Sequence, residues 1–493
     1  MTSPTPPPRS LGSRAAGGAA VTMIGQSAKM IVQFGGIVLL ARLLTPYDYG
    51  LMAMVTAIVG VAEILRDFGL SSAAIQAKHV SREQRDNLFW INSGIGLVLS
   101  VVVYAAAQWI ADFYHEPVLV TISQALAVTF LLNGMTTQYR AHLSRGLQFG
   151  QVALSDVGAQ VLGLVAGVAA ALLGWGYWAL VLQQVVQALV NLVIAVACAR
   201  WLPRGYRKDA PMRTFLSFGW NLMAAQLLGY ASRNIGRVII GARTGADALG
   251  LYNRAFQLLM MPLNQINAPA TSVALPVLSQ LQDERERFDA FLLRGQTVMV
   301  HLIVALFAFA CALALPLIVL VLGEQWREAV PLFQVLTIGG IFQAVAYAAY
   351  WVFLAKGLMR QQLVYSLVGR VLLIACILVG SVWGVMGVAV GYSLGLLLLW
   401  PLSLVWIGKI SNAPALRLFN NGLRAIVGYG LAGVAAYYAA QWIGGPLWKQ
   451  LLAGSGAMLV GCVLVFLVWP AFRRDVLSIL DIRKLLGEAK RKR

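Results

Sequence analysis

The chain has 493 residues, of which 59% are hydrophobic and 12% are charged, and its formal net charge is +19. Soluble domains carry about 25% charged residues, so this composition excludes a soluble protein and indicates many membrane-spanning segments. The positive charge is expected to reflect membrane topology and attraction to anionic lipid rather than nucleic-acid binding, because no soluble basic domain is present to carry it.

Fourteen apolar stretches follow one another along the chain, each near the roughly 20 residues that a helix needs to cross the hydrocarbon core. They predict an all-α polytopic membrane protein, because they are too long and too uniformly apolar for barrel strands. The predicted spans are 17–42, 47–70, 87–111, 118–139, 150–173, 176–199, 214–242, 248–277, 294–322, 328–355, 361–383, 385–407, 422–443 and 448–470.

The Lys and Arg residues are unevenly divided between the connections of these spans. Of the 38, 28 fall on the side that also carries both termini, about four fall on the opposite side, and six fall inside spans. The positive-inside rule therefore places both termini in the cytoplasm.

The domain organisation follows from this order of spans. We predict a disordered N-terminus, an N-lobe of six helices, a cytoplasmic linker, a C-lobe of six helices, two extra helices and a basic cytoplasmic tail. These cover residues 1–16, 17–200, 201–213, 214–410, 411–470 and 471–493. The tail has apolar residues at helical spacing, so it is either a short helix on the membrane surface or a partly disordered tail.

The chain also repeats itself across its two halves. Residues 41–51 read ARLLTPYDYGL and residues 242–251 read ARTGADALGL, and each follows the first helix of a half. Each also leads into a long helix that ends in a Gln, Gln76 or Gln280. Since the loop parity is the same in both halves, we predict a parallel repeat of six helices, related by an axis along the membrane normal.

The repeated segments carry a family resemblance. The stretch LLTPYDYGLMAMVTAIVGVAEILRDFGLSSAAIQ (43–76) resembles the signature of the polysaccharide-transport branch, the Wzx-type flippases, of the multidrug/oligosaccharidyl-lipid/polysaccharide (MOP) exporter superfamily. The stretch DALGLYNRAFQLLMMPLNQINAPATSVALPVLSQ (247–280) resembles the matching second-half segment. The matching residues are Pro46, Tyr49, Gly50, Asp67, Gly69, Leu70 and Gln76, and then Gly250, Tyr252, Arg254, Pro262, Pro276 and Ser279.

That resemblance implies a non-enzymatic transporter of the bacterial inner membrane that works by alternating access. Its substrate would be an undecaprenyl-pyrophosphate-linked sugar repeat unit, moved to the outer leaflet for exopolysaccharide or O-antigen-type export. The implied partners are membrane lipid, a polysaccharide polymerase and chain-length or export machinery. No cofactor, metal or nucleic acid is expected, and a monomer should suffice because one chain contains both lobes.

Five basic residues inside predicted spans are candidates for binding the pyrophosphate: Lys29, Arg66, Arg233, Arg237 and Arg254. A charge at bilayer depth costs at least about 2.5 kcal/mol, so each should face a cavity or a partner. Arg suits phosphate because its planar fork binds two oxygens at once. Side-chain amides on the same helices would contact sugar hydroxyls: Gln26, Gln33, Asn221, Gln226, Asn264 and Asn267.

Other interpretations of these residues stay open. Glu63, Arg66 and Asp67 share a helix face and would also neutralise one another as a structural cluster, and Arg254 could snorkel to the surface. Coupling of transport to H⁺ or Na⁺ through Glu63, Asp67 or Asp156 is a further hypothesis. Three prolines seven residues apart, Pro262, Pro269 and Pro276, indicate either hinges or static kinks.

Three other functions compete with a polysaccharide flippase. A cation-coupled multidrug exporter of the same superfamily should have an acidic, aromatic cavity, whereas the predicted cavity is basic. A flippase for peptidoglycan precursors shares the basic cavity, but the 43–76 segment fits the polysaccharide branch better. A membrane polymerase or glycosyltransferase is disfavoured because no long outer loop is present to hold a catalytic site. The sequence also has no phosphate-binding loop, which argues against ATP hydrolysis, and no metal-ligand spacing.

Overall fold

The computed structural model describes residues 11–67, 70, 80–207 and 212–479. For residues 11–22, 67, 213–226, 228–229 and 231–233 it describes the backbone alone. The described residues form fourteen α-helices and no strand. They are α1 (Leu11–Leu43), α2 (Pro46–Asp67), α3 (Arg82–Tyr114), α4 (Leu119–Arg145), α5 (Phe149–Leu172), α6 (Trp178–Ala199), α7 (Arg213–Gln280), α8 (Arg285–Ala312), α9 (Ala314–Leu322), α10 (Ala329–Ala355), α11 (Met359–Gly380), α12 (Gly384–Ser411), α13 (Ala415–Ile443) and α14 (Leu447–Val468).

The all-helical membrane architecture is confirmed. Within the described part of the chain, 11 stretches are long and apolar enough to cross a membrane, and one of them, Met359–Ser411, contains both α11 and α12. The helix count agrees with the prediction, but the correspondence is not one to one. The predicted spans 214–242 and 248–277 are the two parts of α7, which a non-helical residue, Gly245, separates where the prediction placed a connection. The predicted span 294–322 is instead divided at Leu313 into α8 and α9.

Several helices begin before the apolar stretch that predicted them. Helix α3 begins at Arg82 instead of 87, because Ser81 accepts a hydrogen bond from the Gln84 backbone N–H while the Gln84 side chain caps Ser81 in return. Such a capping box stabilises a polar first turn that hydropathy alone does not detect. Helix α1 begins at Leu11, within the segment 1–16 that was predicted to be disordered.

The chain divides into two compact units, unit 1 (Met1–Gly250) and unit 2 (Leu251–Arg493). In unit 1, α3 packs on α4, α4 on α6 and α5 on α6. In unit 2, the helices at the corresponding positions repeat this pairing, since α8 packs on α10, α10 on α12 and α11 on α12. Helices α13 and α14 pair with each other, and α13 also packs on α8.

Small residues allow close contact between α3 and α4 in unit 1. A Cβ atom at Gly96 of α3 would lie 2.6 Å from the Phe130 carbonyl oxygen of α4. A Cβ atom at Gly134 of α4 would lie 2.7 Å from the Asn92 carbonyl oxygen of α3. The two backbones therefore approach each other at a distance that only glycine permits, which is a common way for membrane helices to associate.

The core of unit 2 contains a buried polar cluster. Asn421 of α13 donates to the Gln296 side-chain oxygen at 3.0 Å and lies 3.0 Å from the Thr297 hydroxyl, both on α8. The Gln296 amide in turn donates to the Leu418 carbonyl at 3.1 Å. Gln296 is fully buried and Asn421 is 2% exposed, so these bonds satisfy polar groups that have no access to solvent.

The first part of the basic tail packs against α8 and α13 in unit 2. Residues 470–479 are helical, and Asp475 accepts hydrogen bonds from Nε of Arg424 at 2.7 Å and Nη2 at 3.2 Å. Phe472 packs against the rings of His301 and Tyr429. The rest of the tail, from residue 480, lies outside the described residues.

The two repeated sequence motifs meet within unit 1. A Cβ atom at Gly50 would lie 1.8 Å from the Ala246 carbonyl oxygen, and one at Gly250 would lie 1.9 Å from the Pro46 carbonyl oxygen. Asp48 stabilises the first motif by accepting hydrogen bonds from the Thr45 backbone N–H at 2.9 Å and hydroxyl at 2.7 Å. In the second motif the chain turns at Gly245, whose φ of 84° is favoured by glycine.

Candidate functional site

Helix α1 carries the first group of predicted site residues. It packs on α5, where a Cβ atom at Gly25 would lie 2.7 Å from the Cβ of Ala153. Lys29 is partly exposed, and Gln26 and Gln33 are exposed. These three side chains are therefore accessible on α1, as ligand-binding groups must be.

A polar cluster joins α2 to α4. Arg66 pairs with Glu63 at 2.9 Å, donates to the Thr137 hydroxyl at 2.8 Å, and Asn133 donates to Glu63 at 3.4 Å. The Arg66 side chain is 16% exposed and that of Glu63 is 38% exposed. The guanidinium of Arg66 is therefore engaged on two sides. The side chain of Asp67 lies outside the described residues.

The first part of α7 packs on α2 through Tyr230. Its hydroxyl donates to the Thr56 carbonyl at 2.7 Å, and its backbone carbonyl accepts from Asn234 at 3.0 Å. Asn234, which is 6% exposed, accepts a hydrogen bond from Arg237 at 3.0 Å. Arg237 is thus positioned by a chain of contacts that begins on α2. The predicted residues Asn221, Gln226 and Arg233 have side chains outside the described set.

Arg254 belongs to unit 2 and is 4% exposed. It donates to the Gln257 side-chain oxygen at 2.7 Å, and its guanidinium carbon lies 5.5 Å from the centre of the Trp326 ring. An amide oxygen and an aromatic face therefore both contact the Arg254 guanidinium. This burial differs from the predicted alternative that Arg254 snorkels to the surface.

The amides and prolines in the second part of α7 lie on a continuous helix. Asn264 is exposed, and Asn267 is partly exposed with its side-chain oxygen buried and lacking a partner among the described residues. Pro262, Pro269 and Pro276 all lie inside the helix, and the one break in its backbone dihedral angles is at Gly245. A hinge role for these prolines stays a prediction.

Asp156, predicted as an ion-coupling residue, pairs with Arg140. The pair joins α5 to α4 through two hydrogen bonds, one from Arg140 Nη2 to Asp156 Oδ2 at 3.0 Å and one from Nη1 to Oδ1. Two-point contacts of this kind fix geometry strongly. The neighbouring Gln160 accepts a hydrogen bond from Gln187 of α6 at 3.1 Å.

Comparison with known proteins identifies the family. Residues 39–331 match the profile of a family described as polysaccharide biosynthesis protein, and this segment includes the repeated motifs and most of the candidate site residues. The chain belongs to this family. The family predicted from the segments 43–76 and 247–280 is therefore confirmed.

Curated relatives of this family have similar sequences over most of their length. The lipopolysaccharide biosynthesis protein WzxC of Escherichia coli is 26% identical over 73% of this chain and 73% of its own. The teichuronic acid biosynthesis protein TuaB of Bacillus subtilis is 28% identical over 69% of this chain and 71% of its own. The succinoglycan biosynthesis transport protein ExoT of Rhizobium meliloti is 25% identical over 64% of each chain.

Solved structures show the same fold at low sequence identity. The lipid II flippase MurJ, in an inward closed conformation, has a TM-score of 0.68 and 12% identity over 91% of this chain and 99% of its own. An inward-facing multidrug resistance transporter of the MATE family has a TM-score of 0.59 and 15% identity over 81% of this chain and 98% of its own. This polysaccharide biosynthesis protein therefore has the fold of MOP-superfamily transporters.

The sequence did not predict that three arginines near the ends of α3 and α4 lie close together. Arg82, Arg85 and Arg145 are part of the charge asymmetry that predicted topology, yet they come together between the ends of α3 and α4. Their positions near the first and last turns of two consecutive helices were the available signal. Hydropathy gives no indication of which loop charges converge.

Proposed function

We propose that this protein is a flippase that moves an undecaprenyl-pyrophosphate-linked oligosaccharide repeat unit from the cytoplasmic to the outer leaflet by alternating access. The exported product would be an exopolysaccharide or an O-antigen-type polysaccharide. The observation that carries this proposal is the match of residues 39–331 to the polysaccharide biosynthesis protein family. The fold shared with a lipid II flippase is consistent with it.

The basic residues of the membrane helices supply the chemistry that this substrate needs. Arg237 and Arg254 are held by the amide side chains of Asn234 and Gln257, which orient each guanidinium. We propose as pyrophosphate-binding residues Lys29, Arg233 and Arg237 in unit 1 and Arg254 in unit 2. Arg66 ranks last in this set, because binding a phosphate would require it to give up its bonds to Glu63 and Thr137.

The same helices supply groups for sugar recognition. Amides both donate and accept hydrogen bonds, as sugar hydroxyls require. In unit 1, Gln26 and Gln33 are exposed on α1, and in unit 2, Asn264 is exposed and Asn267 partly exposed on α7. We propose that these amides contact the oligosaccharide and that the polyprenyl chain stays in the lipid.

Membrane voltage would favour this direction of transport. In the proposed orientation, with both termini cytoplasmic in the bacterial inner membrane, each negative charge moved outward gains about 2.3 kcal/mol per 100 mV. Coupling to H⁺ or Na⁺ would add to this driving force, with Glu63, Asp67 and Asp156 as the acidic candidates. We further propose that a monomer performs transport and delivers its product to a polymerase and its export machinery.

The experiment that tests the function uses proteoliposomes containing a fluorescent undecaprenyl-pyrophosphate oligosaccharide and a membrane-impermeant quencher. We expect protein-dependent loss of protection of the inner-leaflet headgroups, and strong slowing by Arg237→Gln or Arg254→Gln. Arg287→Gln is the matched control, because the Arg287 side chain is 70% exposed and pairs with Glu284 on the surface. The proposal is wrong if the headgroups stay protected while the same vesicles export a cationic dye.

A further inference from the structure

A basic cavity of 440 Å³ lies in unit 1, between the first turns of α3 and the last turns of α4. Its polar lining comes from Ser81, Arg82 and Arg85 on one side and Gln138, His142 and Arg145 on the other. None of the ten residues that line it is acidic. Three of these described lining residues are arginines, so guanidinium groups are concentrated in a partly enclosed space.

The cavity wall is held in place by an aromatic support. The Arg85 guanidinium carbon lies 4.2 Å from the centre of the Trp201 ring, and Nη1 of Arg85 lies 3.2 Å from Nδ1 of His142. Trp201 is itself fixed, because its Nε1 donates to buried Asp86 at 2.9 Å. The Asp86 carboxylate is therefore bound by the Trp201 indole. The ring in turn holds the Arg85 guanidinium in position at the cavity.

Two buried N–H groups at this cavity have no acceptor among the described residues. They are Nε2 of Gln138, a residue that is 1% exposed, and Nε of Arg85. Buried donors almost always have a partner, so each such group indicates a missing acceptor. Both groups can only donate, and the three guanidinium groups can only donate. The missing partner is therefore a group that accepts many hydrogen bonds and carries negative charge.

We propose that this cavity binds the phosphate of a lipid headgroup at the membrane surface. Phosphate oxygens only accept hydrogen bonds and pair with Arg at two points, which matches the lining. A lipid is the favoured carrier, because α3 and α4 are membrane-spanning helices and α3 exposes apolar side chains along its length, including Trp90, Leu97 and Val101. The lipid chain would lie along this apolar surface.

Two lipids present this phosphate chemistry: an anionic phospholipid of the bilayer and a polyprenyl pyrophosphate. The second source rests on the proposed function, since it would make the cavity a waiting position for substrate ahead of transport. The first source does not depend on that function. The affinities for the two lipids therefore separate a general lipid site from a substrate site.

The test measures lipid binding to the purified full-length protein by native mass spectrometry and by thermal shift. The probes are phosphatidylglycerol, undecaprenyl pyrophosphate and, as an uncharged-headgroup reference, diacylglycerol. The key variant is Gln138→Glu, which keeps the shape of the side chain and replaces the buried donor with a carboxylate. We expect this variant to bind the phosphate lipids at least about tenfold more weakly, because it loses one or more charge-assisted hydrogen bonds to the phosphate.

Controls keep the result independent of folding. Without added lipid, Gln138→Glu should melt at or above the wild-type temperature, because its carboxylate would neutralise the neighbouring guanidinium groups. Arg145→Gln should also weaken binding, whereas Arg204→Gln, an exposed position outside the cavity lining, should leave it unchanged. If wild type, Gln138→Glu and Arg145→Gln all bind each phosphate lipid with the same affinity, the proposal is wrong.

The outcome also separates the two proposals. Tight, cavity-dependent binding of undecaprenyl pyrophosphate over phosphatidylglycerol assigns the cavity to the substrate, and the reverse preference assigns it to bilayer lipid. If the proteoliposomes show no flipping but phosphatidylglycerol binding depends on Gln138, the cavity stands and the proposed function falls. If flipping occurs but the binding of neither phosphate lipid depends on Gln138, the proposed function stands and the proposed lipid site is wrong.

Discussion

Gly50 and Gly250 occupy equivalent positions of the sequence repeat, and each lies against the backbone of the other's motif. Gly50 faces the carbonyl of Ala246, four residues before Gly250, while Gly250 faces the carbonyl of Pro46, four residues before Gly50. The contact is therefore reciprocal, as a local twofold relationship between the two motifs requires. Neither position has room for a Cβ atom, so the glycines are explained by packing.

We predict that Gly50→Ala and Gly250→Ala each prevent accumulation of folded protein. A methyl group would lie 1.8 Å or 1.9 Å from a carbonyl oxygen, and no change of rotamer can move it away. Overpacking costs typically about 1–3 kcal/mol, and a clash with backbone should reach or exceed the top of that range. Fluorescence-detected size-exclusion chromatography and thermal melting would measure the loss.

Gly94→Ala is the matched control for both variants. Gly94 also lies inside a membrane helix, but no atom would approach its Cβ within 4 Å. Replacing Gly by Ala in such a place should be neutral or stabilising by up to about 1 kcal/mol. Normal yields of Gly50→Ala alongside Gly94→Ala would contradict the close approach.

Asn421→Leu should destabilise unit 2 by about 1–3 kcal/mol, because it leaves the buried Gln296 oxygen without its donor. Thermal unfolding in detergent is the measurement. Asn420→Leu is the control, since Asn420 is exposed one position earlier on the same helix. A similar loss in both variants would show that the effect comes from the helix surface and not from the buried cluster.

The Arg140–Asp156 pair should couple α4 to α5. We expect a double-mutant cycle of Arg140→Gln and Asp156→Asn to give a coupling energy of about 1 kcal/mol, since the Arg140 side chain is 37% exposed and solvent screens the pair. The double variant Arg140→Asp/Asp156→Arg should regain part of the lost stability. Strictly additive single variants would mean that the pair contributes no interaction energy.

The variant Asp156→Asn also tests the hypothesis that Asp156 couples transport to an ion gradient. If Asp156 acts only through Arg140, Asp156→Asn should lower the melting temperature while leaving the dependence of flipping on H⁺ and Na⁺ gradients unchanged. The flipping rate in vesicles with imposed gradients is the measurement. Loss of a gradient dependence that the wild type shows would instead assign Asp156 to coupling.

Arg254→Lys separates charge from geometry at the buried arginine. Lys keeps the positive charge but loses the planar fork that contacts Gln257 and faces the Trp326 ring. We expect a flipping rate between those of wild type and Arg254→Gln, with the protein remaining folded in both variants. Wild-type rates in both variants would remove Arg254 from the transport site.

The helical architecture could be predicted from sequence because apolar length and loop charge are local properties. The division of the predicted span 294–322 at Leu313 could not, since hydropathy does not detect a backbone break inside a uniformly apolar stretch. The break at Gly245, by contrast, falls in the connection 243–247 that hydropathy predicted between the spans 214–242 and 248–277.

The candidate site was predictable only where partners are near in sequence. The spacing of Glu63 and Arg66 on one helix indicated their pairing, as the structure has it. Thr137 completes that cluster from a helix 71 positions away, and no single-sequence pattern connects it to Arg66. Asp156 was predicted only as an ion-coupling residue, because its partner Arg140 lies on another helix, 16 positions earlier in the chain.

The boundary between unit 1 and unit 2 falls between Gly250 and Leu251, inside the helical part of α7 that follows Gly245. Most domain boundaries lie in flexible linkers that tolerate cutting. Here the chain cannot be divided between its compact units without severing a helix, so split-gene or fragment-complementation designs that cut there should fail. A cut in the non-helical segment 201–207 would leave all of α7 on one fragment, which makes it the better place to divide this protein in two.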